Sequence, residues 1–406
     1  MKLKAAIIFL ALQLLAGAQS GKIAFLGSWD RAVPLIEKAS RETKIEVKFF
    51  KREQFLSDAN PALLNGVKIL YILNISPEAA PKVRGTLEAA FKADPELKVI
   101  PLDHRGIHQE INKNGVLTKN SQVQTYWKAN GLTNMKRLLQ FTEITFFGKP
   151  GEIKPAAIIP GSGFYSPEFE EIFTSFETFK SKCKWERGAP AAAFLIQQSF
   201  WITEDTKVIN AQIKALQDEG FNVVTFFADN TETVYAYLNE VKPDIVVEDR
   251  QGSIWEGEGD QNILEKLNVP YMRPISMLAA TIEEWRKNPQ GLVQRDVNHF
   301  MTLQESKGII EPIVVGGLKA NITGFRLHEP IEERIKHFAA RASAWVNLKR
   351  KANKEKKVAI IYYNKSLGKD DLMRGSPTGA FLDGPESLVQ FLPVMDKAGL
   401  DRKSVV

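Results

Sequence analysis

Short runs of β-branched and other apolar residues alternate with amphipathic patterns through most of this chain of 406 residues. The first half contains predicted strands and helices in turn, at 22–26 (strand), 31–43 (helix), 45–50 (strand), 67–73 (strand), 81–93 (helix) and 98–102 (strand). The pattern returns further along, at 191–197 (strand), 206–219 (helix), 222–227 (strand), 231–240 (helix) and 244–248 (strand). This alternation is typical of βαβ units, whose strands pair in parallel. The sequence therefore predicts an α/β fold of successive doubly wound (Rossmann-like) parallel-sheet domains.

A stretch rich in glycine and proline, residues 149–163, marks a boundary between two such domains. The predicted organisation is a signal peptide at 1–20, a first α/β domain at 21–148, a second at 149–330, a helical connector at 331–356 and the truncated start of a third α/β domain at 357–400.

The amino terminus has the pattern of a secretory signal peptide. A basic start, Met1–Lys4, precedes an apolar run over Ala5–Ala16 and small residues up to Ser20. The run is shorter than the ~20 apolar residues of a spanning helix. We therefore expect a periplasmic or exported protein, with an uncleaved membrane anchor as the alternative.

Composition indicates a globular protein with buried cores, since 44% of the residues are hydrophobic and 25% are charged. The net charge of +6 falls to about +3 without Lys2, Lys4 and the basic excess of residues 401–406, which is too little to indicate nucleic-acid binding. Cys183 is the single cysteine, which excludes internal disulfides and cysteine-based metal sites. The chain contains no Walker A motif, so no ATP site is predicted.

Ligands of open parallel sheets bind at the carboxyl ends of the strands. The loops to consider are therefore 199–201, 228–230 and 249–260. His104 and His108, four residues apart, are metal-ligand candidates if the segment is helical, whereas Gly106 between them favours a polar loop. The two histidines that border the long predicted helix, His328 and His337, are predicted to lie on the surface.

One long segment, residues 269–317, contains an unusual series of short sequence motifs, which we term marks. They are Val269-Pro270-Tyr271, Glu284-Trp285, Asn288-Pro289-x-Gly291-Leu292, Arg295-Asp296 and Glu311-Pro312-Ile313. A second block, residues 357–399, contains the segment Leu-Asp-Gly-Pro-Glu-Ser-Leu and ends in Ala-Gly. In both blocks the chain resembles the CobN/magnesium-chelatase large-subunit family and, with its signal peptide, the exported haem-utilisation (HmuS-type) branch. A third mark, Tyr165-Ser166-Pro167, has serine where the family usually has histidine.

The resemblance implies a large subunit that handles a tetrapyrrole, haem or a corrin, together with its metal ion. It also implies an amino-terminal fragment, because the family's His-Gly-x-x-Glu-type motif would lie beyond residue 406, and we expect this fragment to be inactive alone. Residues 401–406 match the translation of a sequencing-adapter oligonucleotide, so we expect an artefactual tail there.

His299 and Glu284 are the catalytic candidates, since both lie in the family-like segment and metal exchange requires groups that move protons. The predicted function is a periplasmic tetrapyrrole chelatase subunit, acting on haem or a related macrocycle, with metal removal as the expected direction. The alternatives are a non-catalytic haem- or cobalamin-binding module and a cobaltochelatase subunit of cobalamin biosynthesis. The expected partners are the macrocycle and other chelatase or haem-uptake proteins, with no nucleic acid and no transmembrane helix beyond the signal segment.

Overall fold

A computed structural model describes residues 22–27, 32–56, 60–73, 75–103, 107–252, 254–255, 260–320, 326–359 and 384–400. The chain forms two compact units, one up to Lys336 and one from His337 onward. The signal peptide and the tail predicted at 1–20 and 401–406 lie outside the described residues.

The first unit begins with a parallel sheet of four strands in the order β2-β1-β3-β4. These strands are β1 (Ile23–Leu26), β2 (Val47–Phe50), β3 (Ile69–Ile72) and β4 (Lys98–Pro101). The helices of this lobe, residues 22–147, are α1 (Ala32–Thr43), α2 (Ala80–Ala93), α3 (Ile107–Ile111), α4 (Ser121–Ala129) and α5 (Gly131–Phe147), with two 3-10 turns at Arg52–Phe55 and Pro61–Leu64.

Alternate residues of the central strands belong to two different cores. Ile23 and Tyr71 join a cluster that includes residues of α1, α4 and α5, whereas Ala24 and Leu70 join a cluster that includes residues of α2. Successive side chains of a strand point to opposite faces, so a strand buried on both faces must be apolar throughout. This arrangement explains the unbroken apolar runs and confirms the predicted α/β character.

The second sheet has seven strands in the order β11-β10-β9-β8-β6-β7-β5. They are β5 (Gly163–Tyr165), β6 (Ala191–Ile196), β7 (Asn222–Phe227), β8 (Ile245–Asp249), β9 (Tyr271–Thr281), β10 (Ile310–Ala320) and β11 (Arg326–Pro330). The five central strands are parallel, but β5 and β11 run antiparallel to their neighbours. The parallel pairing that the sequence predicts is confirmed for the five central strands. The two edge strands depart from it, because a strand that closes a sheet requires no crossover helix.

The helices of this second lobe, residues 163–330, connect the strands and follow them in the chain. They are α6 (Phe176–Lys182), α7 (Gln198–Ile202), α8 (Lys207–Asp218), α9 (Thr231–Val241), α10 (Asp260–Leu267), α11 (Ile282–Lys287), α12 (Gln294–Val297) and α13 (Leu303–Glu305), with a π-helical turn at Asn298–Thr302.

The segment that joins the two lobes, residues 148–162, is extended and fixed to α5. The Asn134 side chain donates to the Ala157 carbonyl (3.0 Å) and accepts from the Ala157 amide (2.7 Å), and Arg137 donates to the Pro155 carbonyl (2.6 Å). These bonds satisfy backbone groups that have no strand partner. The predicted boundary stretch is thus a fixed strap along the first lobe.

The second unit contains most of α14 (Glu332–Arg350), a short 3-10 turn (Asn353–Glu355) and α15 (Gly384–Lys397). Helix α14 confirms the long helix that the sequence predicts. Residues 360–383 of the predicted third domain lie outside the described residues. Within the described part of the chain, no helix has the length and hydropathy that crossing a bilayer requires.

Gly316 and Gly317 lie where β10 meets neighbouring elements closely. A Cβ atom at Gly316 would stand 2.8 Å from both γ-carbons of Val208 on α8, and one at Gly317 would stand 2.4 Å from Met277 Cε. Val208 is short and β-branched, so it has little freedom to move aside. Gly316 therefore sets the distance between helix α8 and the sheet.

We expect Gly316→Ala to lower the free energy of unfolding by about 1–3 kcal/mol, because the added methyl overfills a packed contact. Urea denaturation of the full chain measures the change. The same substitution in a Val208→Ala background is the control and should cost much less. An equal loss in both backgrounds would contradict this explanation.

Candidate functional site

The two lobes of the first unit enclose a cleft of about 730 Å³, which we term the interlobe cleft. On the first lobe it is lined by α1 and by the start of α5. On the second lobe it is lined by β5 with the turn after it, by α7 and by the residues that lead into α8. Helix α7 follows β6 directly, so this wall lies at the carboxyl end of a parallel strand. That is the edge at which open α/β sheets bind ligands.

Aromatic side chains form part of the second-lobe wall. Trp201 on α7 stacks on Phe227, the last residue of β7, with ring centroids 5.4 Å apart and an interplanar angle of 16°. Tyr165 is buried, and its hydroxyl donates to Asn210 Oδ1 over 2.8 Å. Burial raises the pKa of Tyr165, so the hydroxyl stays protonated and acts as a donor. The wall is therefore a fixed aromatic surface and not a mobile loop.

Charged side chains from both lobes lie along the cleft. Lys38 on α1 donates to both carboxylate oxygens of Glu204 on the second lobe, at 2.8 and 2.9 Å. Lys136 on α5 pairs with Glu42 on α1 at 2.8 Å. The hydrogen bond to Glu204 is the main reason that the pKa of Lys38 is raised, and the charges of Glu42 and Glu170 add to it. Lys38 therefore faces three carboxylates in the cleft.

Glu204 has an uncommon backbone conformation. Its φ angle of +58° lies in the left-handed region, which costs a non-glycine residue about 1–2 kcal/mol. Its amide donates to the Trp201 carbonyl (3.0 Å), which closes the turn after α7. The Glu204 side chain is 48% exposed, so its ion pair with Lys38 contributes at most about 1 kcal/mol. The surroundings of Glu204 must therefore impose its position.

The next residue, Asp205, is anchored in the interior by His328 on β11. One Asp205 oxygen accepts from the His328 amide (3.1 Å) and the other from Nδ1 (2.6 Å), while Nε2 lies 3.1 Å from the Met277 carbonyl on β9. Both ring nitrogens face oxygen atoms that can accept a hydrogen bond. The side chains of Asp205 and His328 are each only 1% exposed, and the prediction of a surface His328 was wrong.

A second group of buried polar side chains lies between β6 and β8. This is the switch point of the sheet, because β7 lies on one side of β6 and the later strands lie on the other. Asp249, at the end of β8, accepts from Gln212 (2.8 Å) and Ser276 (2.6 Å) through one oxygen, and its other oxygen has no hydrogen-bond partner among the described residues. Burial raises the pKa of Asp249 more strongly than these two bonds lower it.

The neighbouring carboxylate, Glu248, is part of a buried chain of contacts. It pairs with Arg273 on β9 at 2.7 Å and accepts from the Tyr271 hydroxyl at 2.7 Å, and that hydroxyl accepts from Trp255 Nε1 at 2.8 Å. Arg273 also donates to the carbonyls of Arg250 and Gly252. The guanidinium thus holds the loop after β8 against the sheet, so this network has a structural role.

The two catalytic candidates occupy different surroundings. Glu284 is exposed and closes a capping box, since its carboxylate accepts from the Thr281 amide (2.7 Å) and its own amide donates to Thr281 Oγ1 (3.1 Å). Hydrogen bonds from the Thr281 amide and side chain to this carboxylate lower the pKa of Glu284. His299 is exposed on the π-helical turn. Neither residue lines the interlobe cleft, and their catalytic role stays a prediction.

The predicted metal ligands cannot be assembled into a site from the described residues. His104 lies outside them, and His108 belongs to α3, although its side chain lies outside the description. Among the described residues no group of three or more His, Cys, Asp or Glu side chains is arranged to hold a metal ion. Two sequence signals do lead to the cleft: the segment 199–201, predicted as a loop but folded into α7, and the mark Tyr165-Ser166-Pro167, whose first and last residues line the cleft. No local signal marks Lys38, Asp205 or His328.

Comparison with known sequences identifies relatives. The profile of the family described as CobN/Magnesium Chelatase matches residues 124–404, more than half of the chain. The chain is 26% identical to a magnesium-chelatase subunit of Chlorobaculum parvum, over 68% of this chain and 22% of that protein. It is 28% identical to the aerobic cobaltochelatase subunit CobN of a Sinorhizobium species, over 48% of this chain and 16% of that protein. It therefore spans about a fifth of the length of these relatives.

Among solved structures, the fold is similar to that of the catalytic subunit of cobaltochelatase from Mycobacterium tuberculosis. The TM-score is 0.61, and the similarity covers 94% of this chain and 31% of that one at 16% sequence identity. Because the similarity covers 94% of this chain, it extends to residues that precede the profile match at 124–404.

We expect Asp205→Asn to lower the free energy of unfolding by about 1–3 kcal/mol, because the amide NH2 would face a buried donor of His328 in place of a carboxylate oxygen. Asp218→Asn, which removes a charge from the exposed pair with Lys214, is the matched control and should cost less than about 1 kcal/mol. Chemical denaturation measures both. Equal small losses would show that Asp205 and His328 do not anchor this turn.

Asp249→Asn should change how stability depends on pH. Because the pKa of Asp249 is raised in the folded state, the folded protein keeps this proton to higher pH than the unfolded chain, whose carboxyl pKa is about 4. The contribution of Asp249 to stability therefore falls as pH rises above that value. The free energy of unfolding of Asp249→Asn relative to the wild type should increase between pH 4 and pH 7. Asp218→Asn controls for the change in net charge, and a flat difference for Asp249→Asn would contradict the prediction.

Proposed function

Because this chain belongs to the CobN/magnesium chelatase family, we propose that the protein acts as the large subunit of a tetrapyrrole chelatase. The profile match over residues 124–404 is the observation that carries this proposal. A large α/β cleft with a fixed aromatic wall is consistent with it, since clefts that bind small molecules and cofactors have volumes of about 300–1,000 Å³. The substrate would be the macrocycle together with its metal ion.

We further propose that the macrocycle is haem and that the protein works in the periplasm, in the direction of metal removal. The signal-peptide pattern at residues 1–20 supports export. No ATP is supplied outside the cytoplasm, and removing the metal requires two protons at the pyrrole nitrogens but no nucleotide in principle. Proton donors are the groups that such a reaction needs from the protein.

A second candidate function is cobalt insertion into a corrin. The similarity to the Sinorhizobium cobaltochelatase subunit favours it. Insertion takes two protons away from the ring nitrogens, so the two directions require opposite proton transfers at the same ring.

The test incubates the product of the complete gene with haem under anaerobic, reducing conditions, and haem alone is the control. We expect the fluorescence of metal-free porphyrin to appear at a rate proportional to protein concentration. A Soret shift without porphyrin would replace the proposal with a haem-binding module. Cobalt uptake by a metal-free corrin, with no reaction of haem, would establish the second candidate instead.

A further inference from the structure

We propose that the interlobe cleft binds a carboxylate-bearing tetrapyrrole, with the ring against Trp201 and the ring's carboxylates paired with Lys38 and Lys136. This assignment rests on the proposed function and adds to it a location and a means of recognition. It does not involve the exposed candidates His299 and Glu284.

The aromatic wall suits a flat, apolar ring. Trp201 is supported from behind by Phe227 and is held in place by the turn that Asp205 and His328 anchor. A pre-positioned aromatic surface loses little conformational freedom when a ligand stacks on it, so the stacking energy is retained as affinity. Helix α7, which carries Trp201, directly follows β6 at the strand ends where this class of sheet binds ligands.

The lysines supply the charge that a ring with carboxylate side chains requires. Lys38 lies on α1 and Lys136 on α5 of the same lobe, and both line the cleft. Each is paired with a glutamate of the protein, Glu204 and Glu42 respectively. A ligand carboxylate would therefore bind by exchange: it takes the place of a glutamate on a lysine, and that glutamate turns to water.

Glu204 is suited to such an exchange. Its pair with Lys38 is half-exposed, so releasing the glutamate carboxylate into water has a small cost. The turn that the Glu204 amide closes and Asp205 anchors holds Glu204 in position whether or not its side chain is paired. We infer that the Glu204 carboxylate occupies the position that a ligand carboxylate takes on binding.

The experiment titrates the full chain with metal-free protoporphyrin IX and with its dimethyl ester, which has the same ring but no charged groups. Binding is followed by quenching of tryptophan fluorescence. We expect the wild type to bind the diacid roughly tenfold more tightly than the ester, as charge-assisted hydrogen bonds predict. Lys38→Met and Lys136→Met should each reduce this preference severalfold, and the double variant should abolish it. Lys214→Met, at an exposed pair outside the cleft, is the matched control and should keep the preference.

Two further variants distinguish the affinity that comes from the ring from the affinity that comes from its carboxylates. Trp201→Leu should weaken both ligands to a similar extent and reduce the quenching. Glu204→Gly should bind the diacid severalfold more tightly and the ester unchanged, because it removes the competing carboxylate. Glycine also tolerates the left-handed backbone, so this variant should fold. Thermal unfolding checks that each variant is folded.

The outcomes separate the cleft assignment from the chelatase proposal. Diacid binding that none of the cleft variants changes would overturn the assignment to the cleft and leave the chelatase proposal standing. A folded wild type that binds neither ligand would also overturn the assignment, and the haem reaction of the complete gene product would then decide the chelatase proposal separately.

Discussion

The buried pair of Asp205 and His328 is the contact on which the cleft depends. It joins the turn after α7 to β11 through two hydrogen bonds and to β9 through the Met277 carbonyl. Burying polar groups is costly, and the cost is recovered only when their hydrogen bonding is nearly complete, as it is here. The turn that presents Trp201 and Glu204 therefore has one position relative to the sheet. A surface loop without such an anchor would present its aromatic side chain in several orientations. Fixing one of them on binding would cost conformational entropy and lower the affinity.

The family-like segment contributes to this scaffold in another way. Glu284 closes a capping box, Asn288 fixes the turn before Gly291 through its side chain, and buried Asp296 accepts from the Leu278 amide of β9. Burial raises the pKa of Asp296, and the amide bonds oppose that rise, so this carboxyl serves to attach α12 to the sheet. Several of the residues that resemble the chelatase family thus have structural roles. The cleft is formed by segments that contain few family-like residues.

Features that depend on local residue patterns can be predicted from the sequence, whereas contacts between distant residues cannot. The predicted strands and helices begin and end within about two residues of the observed ones. A strand buried on both faces requires an unbroken apolar run, as in β7, and a helix packed on a sheet requires a stripe of apolar residues along one face, as in α8. The loop with Trp201 is predictable because strand ends in such sheets are a general binding position. The burial of His328 could not be predicted, since its partner Asp205 is 123 residues distant. The pairing of Lys38 with Glu204, 166 residues apart, is likewise a product of how the lobes meet.

The balance of charge in the cleft determines which ligands it can accept. Three glutamates and two lysines line it, so an anion that simply added to the cleft would meet a net negative charge. An anion that exchanges with Glu204 and Glu42 keeps both lysines paired and moves two carboxylates toward water, where they are well solvated. Exchange contributes only modest affinity, of the order of the tenfold preference expected for the diacid over its ester, since each new ion pair replaces an existing one. It does discriminate against rings whose carboxylates cannot reach both lysines, because such a ring leaves charges unpaired beside it. Affinity would then come from stacking on Trp201, and selectivity from the spacing of Lys38 and Lys136.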